Sequence, residues 1–200
     1  MASESAWLAE TEFIDHGHPA VSEFVARALD DLSPSGPTEV AVGLFEQVRD
    51  SIRYDPYRCS RSPGEYRASH TALSQSNWCV PKSVLLCAAA RSQGIPARLG
   101  FADVRNHLTT ERLQAAMGTD VFMWHGYAEV LLDGRWFKLS TAFNIELCER
   151  FGVGVLHFVV LFVAFGIGAD DVFVILGHWR HFKSQNLPAP DEEDESREDD

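Results

Sequence analysis

Apolar residues recur at helical spacing in HPAVSEFVARALDDL, where Val21, Phe24, Val25, Ala28, Leu29 and Leu32 share a face and Pro19 stands near the start. A helix is predicted there. SPSGP at 33–37 is a loop, and a second helix is predicted over 38–53. Thr38 would cap it, and Val40, Val42, Leu44, Phe45, Val48 and Ile52 would form its buried face. YDPYRCSRSPGEYRAS has the polar, turn-rich composition of a surface loop. The stretch SQSNWCVPKSVLLCAAARSQGIPARLGFADV places Cys79 just ahead of Pro81 and continues as an apolar helix to about Gln93. Gly94 and Pro96 end that helix. A strand is expected over 97–104 and a short helix over 110–117. VFMWHGYAEVLLDGRWFKLSTAFN then reads as two strands around Asp133-Gly134, a dipeptide suited to a tight type I′ hairpin. His125, Tyr127, Glu129 and Leu131 fall on one face of the first strand, and Gly126, Ala128, Val130 and Leu132 on the other.

Two stretches break this pattern. Residues 151–169, FGVGVLHFVVLFVAFGIGA, contain no Asp, Glu, Lys or Arg and are long enough to span a bilayer core. The last ten residues, DEEDESREDD, hold eight acids and one Arg, so −7 of the net −12 belongs to them. The low pI is therefore mostly a property of the tail, which by composition is disordered from Pro188 onward. No Lys/Arg cluster marks a nucleic-acid-binding face, so nucleic acid is not an expected partner. The start, MASESAWLAE, lacks the basic and apolar regions of a secretory signal, and free thiols in a cytoplasmic setting are expected. Cys59, Cys79, Cys87 and Cys148 form no CxxC pair, so no zinc knuckle or thioredoxin-like motif is expected, and the cysteine chemistry considered next needs no metal or organic cofactor.

The chemistry concentrates at two residues. A helix N-terminus carries unpaired N–H groups and about half a positive charge, which favour a thiolate. Cys79 stands at such an end, with its own N–H available to an oxyanion, whereas Cys87, two turns on, reads as a packed core thiol. A thiol nucleophile also needs an imidazole to take its proton, and His125, mid-strand among aromatic neighbours, is the best placed of the eight histidines. A buried structural cysteine and an ordinary strand histidine are the alternative.

WCVPKSVLLCAAARSQGIPARLGFADV followed by WHGYAEVLLDGRWFKLSTAFN resembles the core of the transglutaminase-like superfamily. The shared positions are Cys79, Lys82, Leu85 and the run Gly94 to Arg98, then His125, Tyr127, Glu129, Val130, Gly134 and Trp136. The likeness extends upstream through FIDHGHPAV and IRYDPYR, toward a bacterial branch, and covers roughly 11–153. It implies an α+β, papain-like architecture of helices plus an antiparallel sheet, with a Cys-His-Asp triad acting on a protein or peptide amide through an acyl-enzyme. The family's Asp, four residues after the hairpin Trp, falls here on Ser140. A hydroxyl can orient an imidazole but carries no charge to balance it. Asn144 is the other candidate for that place, as in Cys-His-Asn proteases, although it lies four residues out of register. Trp78 is a candidate wall of the acyl site, and Gln75 or Asn77 a candidate second oxyanion donor.

Beyond Val153 the resemblance changes. Residues 154–187 resemble one transmembrane helix of the resistance-nodulation-division transporters, the Patched and Dispatched branch, most closely in GIGADDVFV. Asp170 and Asp171 would be that family's intramembrane acid pair. Such acids at mid-bilayer need partners from other helices, and this chain offers one such helix, so transport by it alone is not expected. A membrane anchor, a buried soluble helix and a fused transporter fragment all remain open. The abrupt change favours fusion as origin, with membrane association through 151–179 or aggregation as its consequence. The expected organisation is a transglutaminase-like domain over 1–153, an apolar helix over 154–187 and an acidic tail over 188–200. Three functions compete: a cysteine acyl transferase or amide hydrolase, a scaffold that kept the fold without the acid, and a membrane-anchored fragment.

Overall fold

The computed structural model describes residues 4–105, 115, 118–119 and 121–150. The apolar run from 151, Asp170, Asp171 and the acidic tail lie outside the described residues, as does the short helix expected over 110–117 apart from residue 115. No helix among the described residues is long and apolar enough to cross a membrane.

The first two helices form where the apolar periodicity places them. Helix α1, Pro19–Leu29, begins at a His18 cap whose Nδ1 accepts the Ala20 N–H, with Pro19 in the first turn, where a missing N–H costs nothing. Helix α2, Pro37–Ser51, starts one residue earlier than expected. Its N-cap is Gly36, which makes no side-chain cap, so Thr38 lies inside the first turn rather than capping it. The presence of Pro37 explains the shift, since proline is preorganised for that first position. The polar stretch after α2 is more ordered than its composition suggests. It holds the short strand β1, Arg53–Tyr54, and a 3-10 turn at Pro63–Tyr66, and it leads into α3, Ala68–Ala72. Strand β1 pairs in parallel with β2, Ser76–Asn77, the two residues that lead through Trp78 into the next helix.

Helix α4, Cys79–Ser92, is the centre of the molecule. Every residue from Cys79 to Arg91 is buried, so the helix has no solvent stripe and is enclosed by α1, α2 and α3 and by the sheet. Ala88, Ala89 and Ala90 let neighbours approach closely, while Leu85 and Leu86 fill the space around Phe24, Leu44 and Phe45. Gly94, at φ +72, ends it, and Ile95 N–H returns to Ala90 O at 3.0 Å, satisfying a terminal carbonyl.

The sheet is antiparallel, in the order β3 (Ala97–Arg105), β4 (Val121–Leu132) and β5 (Arg135–Leu139). Asp133 at φ +50 and Gly134 at φ +76 make the two-residue turn that the Asp-Gly pair predicts. Ala128, Val130 and Leu132 point into the core, and the chain after β5 returns to form α5, Ile145–Arg150. At Gly126 the strand touches the start of α4. A Cβ built there would stand 2.9 Å from Val80 Cα and 3.3 Å from Val80 N, so β4 and the α4 N-terminus meet backbone to backbone. Gly126→Ala is expected to destabilise the fold by about 1–3 kcal/mol in urea denaturation, because the added methyl meets helix backbone as well as the Val80 side chain, whose Cγ2 would lie 2.8 Å away.

One buried charge ties these layers together. Lys82, fully buried on α4, donates from Nζ to Arg49 O at 3.0 Å, Ile52 O at 2.6 Å and Ala142 O at 3.4 Å. Three ammonium protons meet three carbonyls, two of them at the C-terminal end of α2, where the helix dipole favours a cation. Burial still pushes the Lys82 ammonium down to about 7, although Asp50 and Cys79 act to raise it. The third carbonyl belongs to the loop carrying Ser140 and Asn144, so the same side chain that locks α2 also anchors that loop.

Candidate active site

Cys79 is the first residue of α4 and His125 lies mid-way along β4, each only 5 % exposed. Their chain neighbours touch: Gly126, which follows His125, packs against Val80, which follows Cys79. The backbone N–H groups of Gly126, Val80 and Cys79 itself act to lower the Cys79 thiol's pKa. His125 Nε2 lies 3.1 Å from Ser140 Oγ. The strand thus sets Gly126 against the start of α4, and the residue before it, His125, has its ring fixed by the hydroxyl of Ser140.

The electrostatics run against the expected acidified thiol. Burial pushes Cys79 up to about 11, outweighing the three backbone N–H groups that lower it, and the nearby Cys59 adds a small push in the same direction. Burial likewise pushes His125 down to about 4. At neutral pH Cys79 is therefore a thiol and His125 a neutral imidazole, because the helix N-terminus supplies too little to repay desolvation of a sulfur anion. Cys87 behaves as a packed thiol, fully buried and pushed up to about 12.

The remaining candidates are distributed unevenly. Ser140 is at the ring. Asn144 is not bonded to it: its Oδ1 accepts from Tyr54 N–H at 3.5 Å, and its carbonyl begins α5. The chain turns into α5 before that side chain can return toward β4. Gln75 is exposed and gives its backbone carbonyl to Arg53 N–H at 3.0 Å, while Asn77 Oδ1 accepts the Trp78 N–H at 3.0 Å, so the latter side chain braces the entry to the helix. Trp78 is half-buried, with its ring edge-on to Tyr66 at 6.0 Å. Among the described residues no group of three or more His, Cys, Asp or Glu is placed to hold a metal ion.

Tyr54 belongs to this region and is invisible to a search for periodicity, since β1 is two residues long. Burial, and then the nearby Cys79 and Cys59 thiols and Asp55, push its phenol well above the usual range. It lines a cleft of about 200 Å³ with Arg53, Asp55, Ser76, Asn144, Glu146 and Leu147, beside the strand that leads into Cys79. Glu129, on the histidine's face of β4, instead forms an ion pair with Arg98, whose guanidinium lies 4.2 Å from the Trp136 ring centroid and 5.4 Å from that of Trp7. That arrangement is a structural clamp on the far end of the sheet.

The family model of the transglutaminase-like superfamily matches residues 25–141, spanning α1 through Ser140 and including Cys79 and His125. The chain belongs to the transglutaminase-like superfamily. A solved structure described as a putative cysteine protease from Cytophaga hutchinsonii superposes on it with a TM-score of 0.52 at 14% identity, covering 69% of this chain and 41% of that one. That likeness establishes the shared fold: helices with an antiparallel sheet, as in the papain-like transglutaminase core. No curated protein matches the chain. Against the family pattern, this transglutaminase-like domain has a serine where the triad carboxylate falls, and that serine bonds the imidazole.

Proposed function

We propose that the domain is a cysteine acyl transferase or amide hydrolase in which Cys79 is the nucleophile, His125 the proton carrier and Ser140 the group that orients the ring. The observation that carries this reading is the run His125–Gly126 on β4: Gly126 packs against Val80 at the start of α4, while Ser140 Oγ stands 3.1 Å from His125 Nε2. With Nε2 bonded to Ser140, Nδ1 is the nitrogen assigned to the thiol proton.

The reaction begins from the neutral pair. His125 takes the Cys79 proton as the sulfur attacks the carbonyl carbon of a protein or peptide amide, so no free thiolate need accumulate. The oxyanion forms at the mouth of α4, where the Cys79 N–H donates to it and the helix dipole favours it. Collapse breaks the C–N bond, His125 returns the proton to the departing amine or ammonia, and a thioester remains on Cys79. A primary amine or water then attacks the thioester, releasing transferred or hydrolysed product and restoring the thiol. Trp78, beside the nucleophile and partly exposed, is assigned to the wall of the acyl site.

The test is to trap the thioester. Incubation with a glutaminyl peptide, acid quench and intact-mass analysis should give an adduct of the acyl group, which peptide mapping places on Cys79. Added primary amine should divert it from hydrolysis to transfer. An adduct confined to exposed Cys59, or none at any pH, refutes the assignment. One observation favours a second reading, a non-catalytic scaffold: burial holds the Cys79 thiol at about 11, and a serine, not a carboxylate, meets the imidazole. The scaffold reading predicts substrate binding without an adduct.

A further inference from the structure

The strand carrying His125 contains a backbone irregularity one residue earlier. Trp124 sits at φ +59, a left-handed conformation that tryptophan rarely adopts. It coincides with a break in the ladder. Ala102 pairs with His125 and Val104 pairs with Phe122, so Asp103 alone on β3 faces Met123 and Trp124 on β4. This is a β-bulge, the device by which a strand gains one residue and re-aims the side chains beyond it. Its consequence is visible in exposure: Met123 and Trp124 are consecutive yet both point outward, at 67 % and 70 %, while His125 is buried. Because side chains alternate along a strand, one residue more or fewer moves every later side chain to the opposite face. The bulge therefore sets the phase that presents His125 beside Ser140 and Gly126 against Val80.

The strained residue is held by a specific contact. Trp124 N–H donates to Asp103 Oδ1 at 3.1 Å, and the Trp124 ring packs edge-on against Phe101, 6.3 Å between centroids. The carboxylate supplies to the bulged N–H the acceptor that the interrupted ladder cannot. We propose that Asp103 is a positioning residue for the acyl-transfer reaction: by holding Trp124 in its left-handed conformation it fixes the bulge, and through the bulge the placement of His125. The inference rests on the cysteine acyl-transfer reading for its functional meaning, and on the strand geometry for its physical content. Asp103 acts through the backbone of Trp124 and His125, not by contact with the reacting atoms.

Four full-length proteins test it: the parent, Asp103→Ala, Asp103→Asn, and Asp103→Ala combined with Trp124→Gly. Asparagine keeps an Oδ1 acceptor, and glycine adopts a positive φ without a clamp. For ammonia release from an N-blocked glutaminylglycine, Asp103→Ala should lower kcat by about tenfold, as misplaced catalytic groups do. KM should stay within about twofold, since nothing that binds uniformly is removed. Asp103→Asn should remain close to the parent, and the added Trp124→Gly should recover most of the loss. A parent-like kcat in Asp103→Ala, an asparagine variant as slow as the alanine one, or no recovery with glycine overturns the proposal. Should the parent turn over no faster than Cys79→Ala, the acyl-transfer reading fails, and the clamp is then judged on the ring itself. The His125 imidazole titration followed by NMR should move up from about 4 in Asp103→Ala and stay in place in Asp103→Asn. An unmoved titration overturns the clamp separately.

Discussion

Replacing Ser140 with Asp is expected to raise kcat/KM for amide cleavage by roughly 10- to 1,000-fold, with the gain in kcat. The resting site is a neutral pair. Charge separation moves a proton from a thiol held at about 11 to an imidazole held at about 4, a gap of roughly seven pH units. At about 1.4 kcal/mol for each, full ion-pair formation would cost on the order of 10 kcal/mol before the two new charges attract one another. Ser140 Oγ, 3.1 Å from Nε2, can accept the ring's proton but cannot balance its charge. A carboxylate there would raise the imidazole by about 1–3 pH units, which narrows the gap by about 1.4–4 kcal/mol. The same change fixes the sign of the pH effect. Activity needs the neutral ring, so the acid limb of kcat/KM should move upward in Ser140→Asp, from near 4 toward neutrality. Measuring kcat/KM from pH 4 to 9 in both proteins checks rate and limb together. A faster enzyme with an unmoved limb would mean the aspartate acts elsewhere; a slower one would mean Ser140 Oγ has a role a carboxylate cannot fill.

The legibility of this chain depended on the kind of signal each part carried. Helices α1, α2 and α4 and the hairpin at Asp133-Gly134 arise from periodicity and turn chemistry, which are local and survive without tertiary information, whereas α3 lies where the composition suggests a loop. The proposed pairing of Cys79 with His125 comes from reading the two motifs together, because neither spacing alone brings a helix start to a strand forty-six residues away. The residue that lets β4 approach the start of α4 is Gly126, and its role emerges only when the Val80 backbone is seen 2.9 Å from where a Cβ would be. The acidified thiol was the error. Helix-end position argues for it, but position says nothing about depth, and burial decides the direction here. Asn144 failed for a related reason: amide chemistry suited the role, yet the loop turns into α5 and gives that side chain to Tyr54. Lys82 was visible as a family position, but a lysine in an apolar helix gives no sign that it will spend its three protons on carbonyls of α2 and the Ser140 loop. The bulge at Met123–Trp124 had no signature at all, since a tryptophan is the wrong residue from which to expect a positive φ.

Cys79→Ala, His125→Gln and the double variant are expected to lose nearly the same activity, each by about 10³-fold or more. If sulfur and imidazole acted independently, the double loss would approach the product of the singles. In the pair as placed they form one device: the thiol at about 11 is a poor nucleophile until the ring accepts its proton, and the ring has no task without the thiol. Removing either should leave only the weak contribution of binding and the helix-end donors, and removing the second should change little further. Glutamine at 125 preserves much of the volume and a polar partner for Ser140 Oγ, so collapse of the sheet is not the expected cause of the loss. Urea midpoints of the three proteins separate folding from chemistry, with Cys79→Ala expected within about 1 kcal/mol of the parent because only one buried sulfur is removed. Losses that multiply in the double variant would show the two residues working apart, and a Cys79→Ala protein with parental turnover would place the nucleophile elsewhere in the chain.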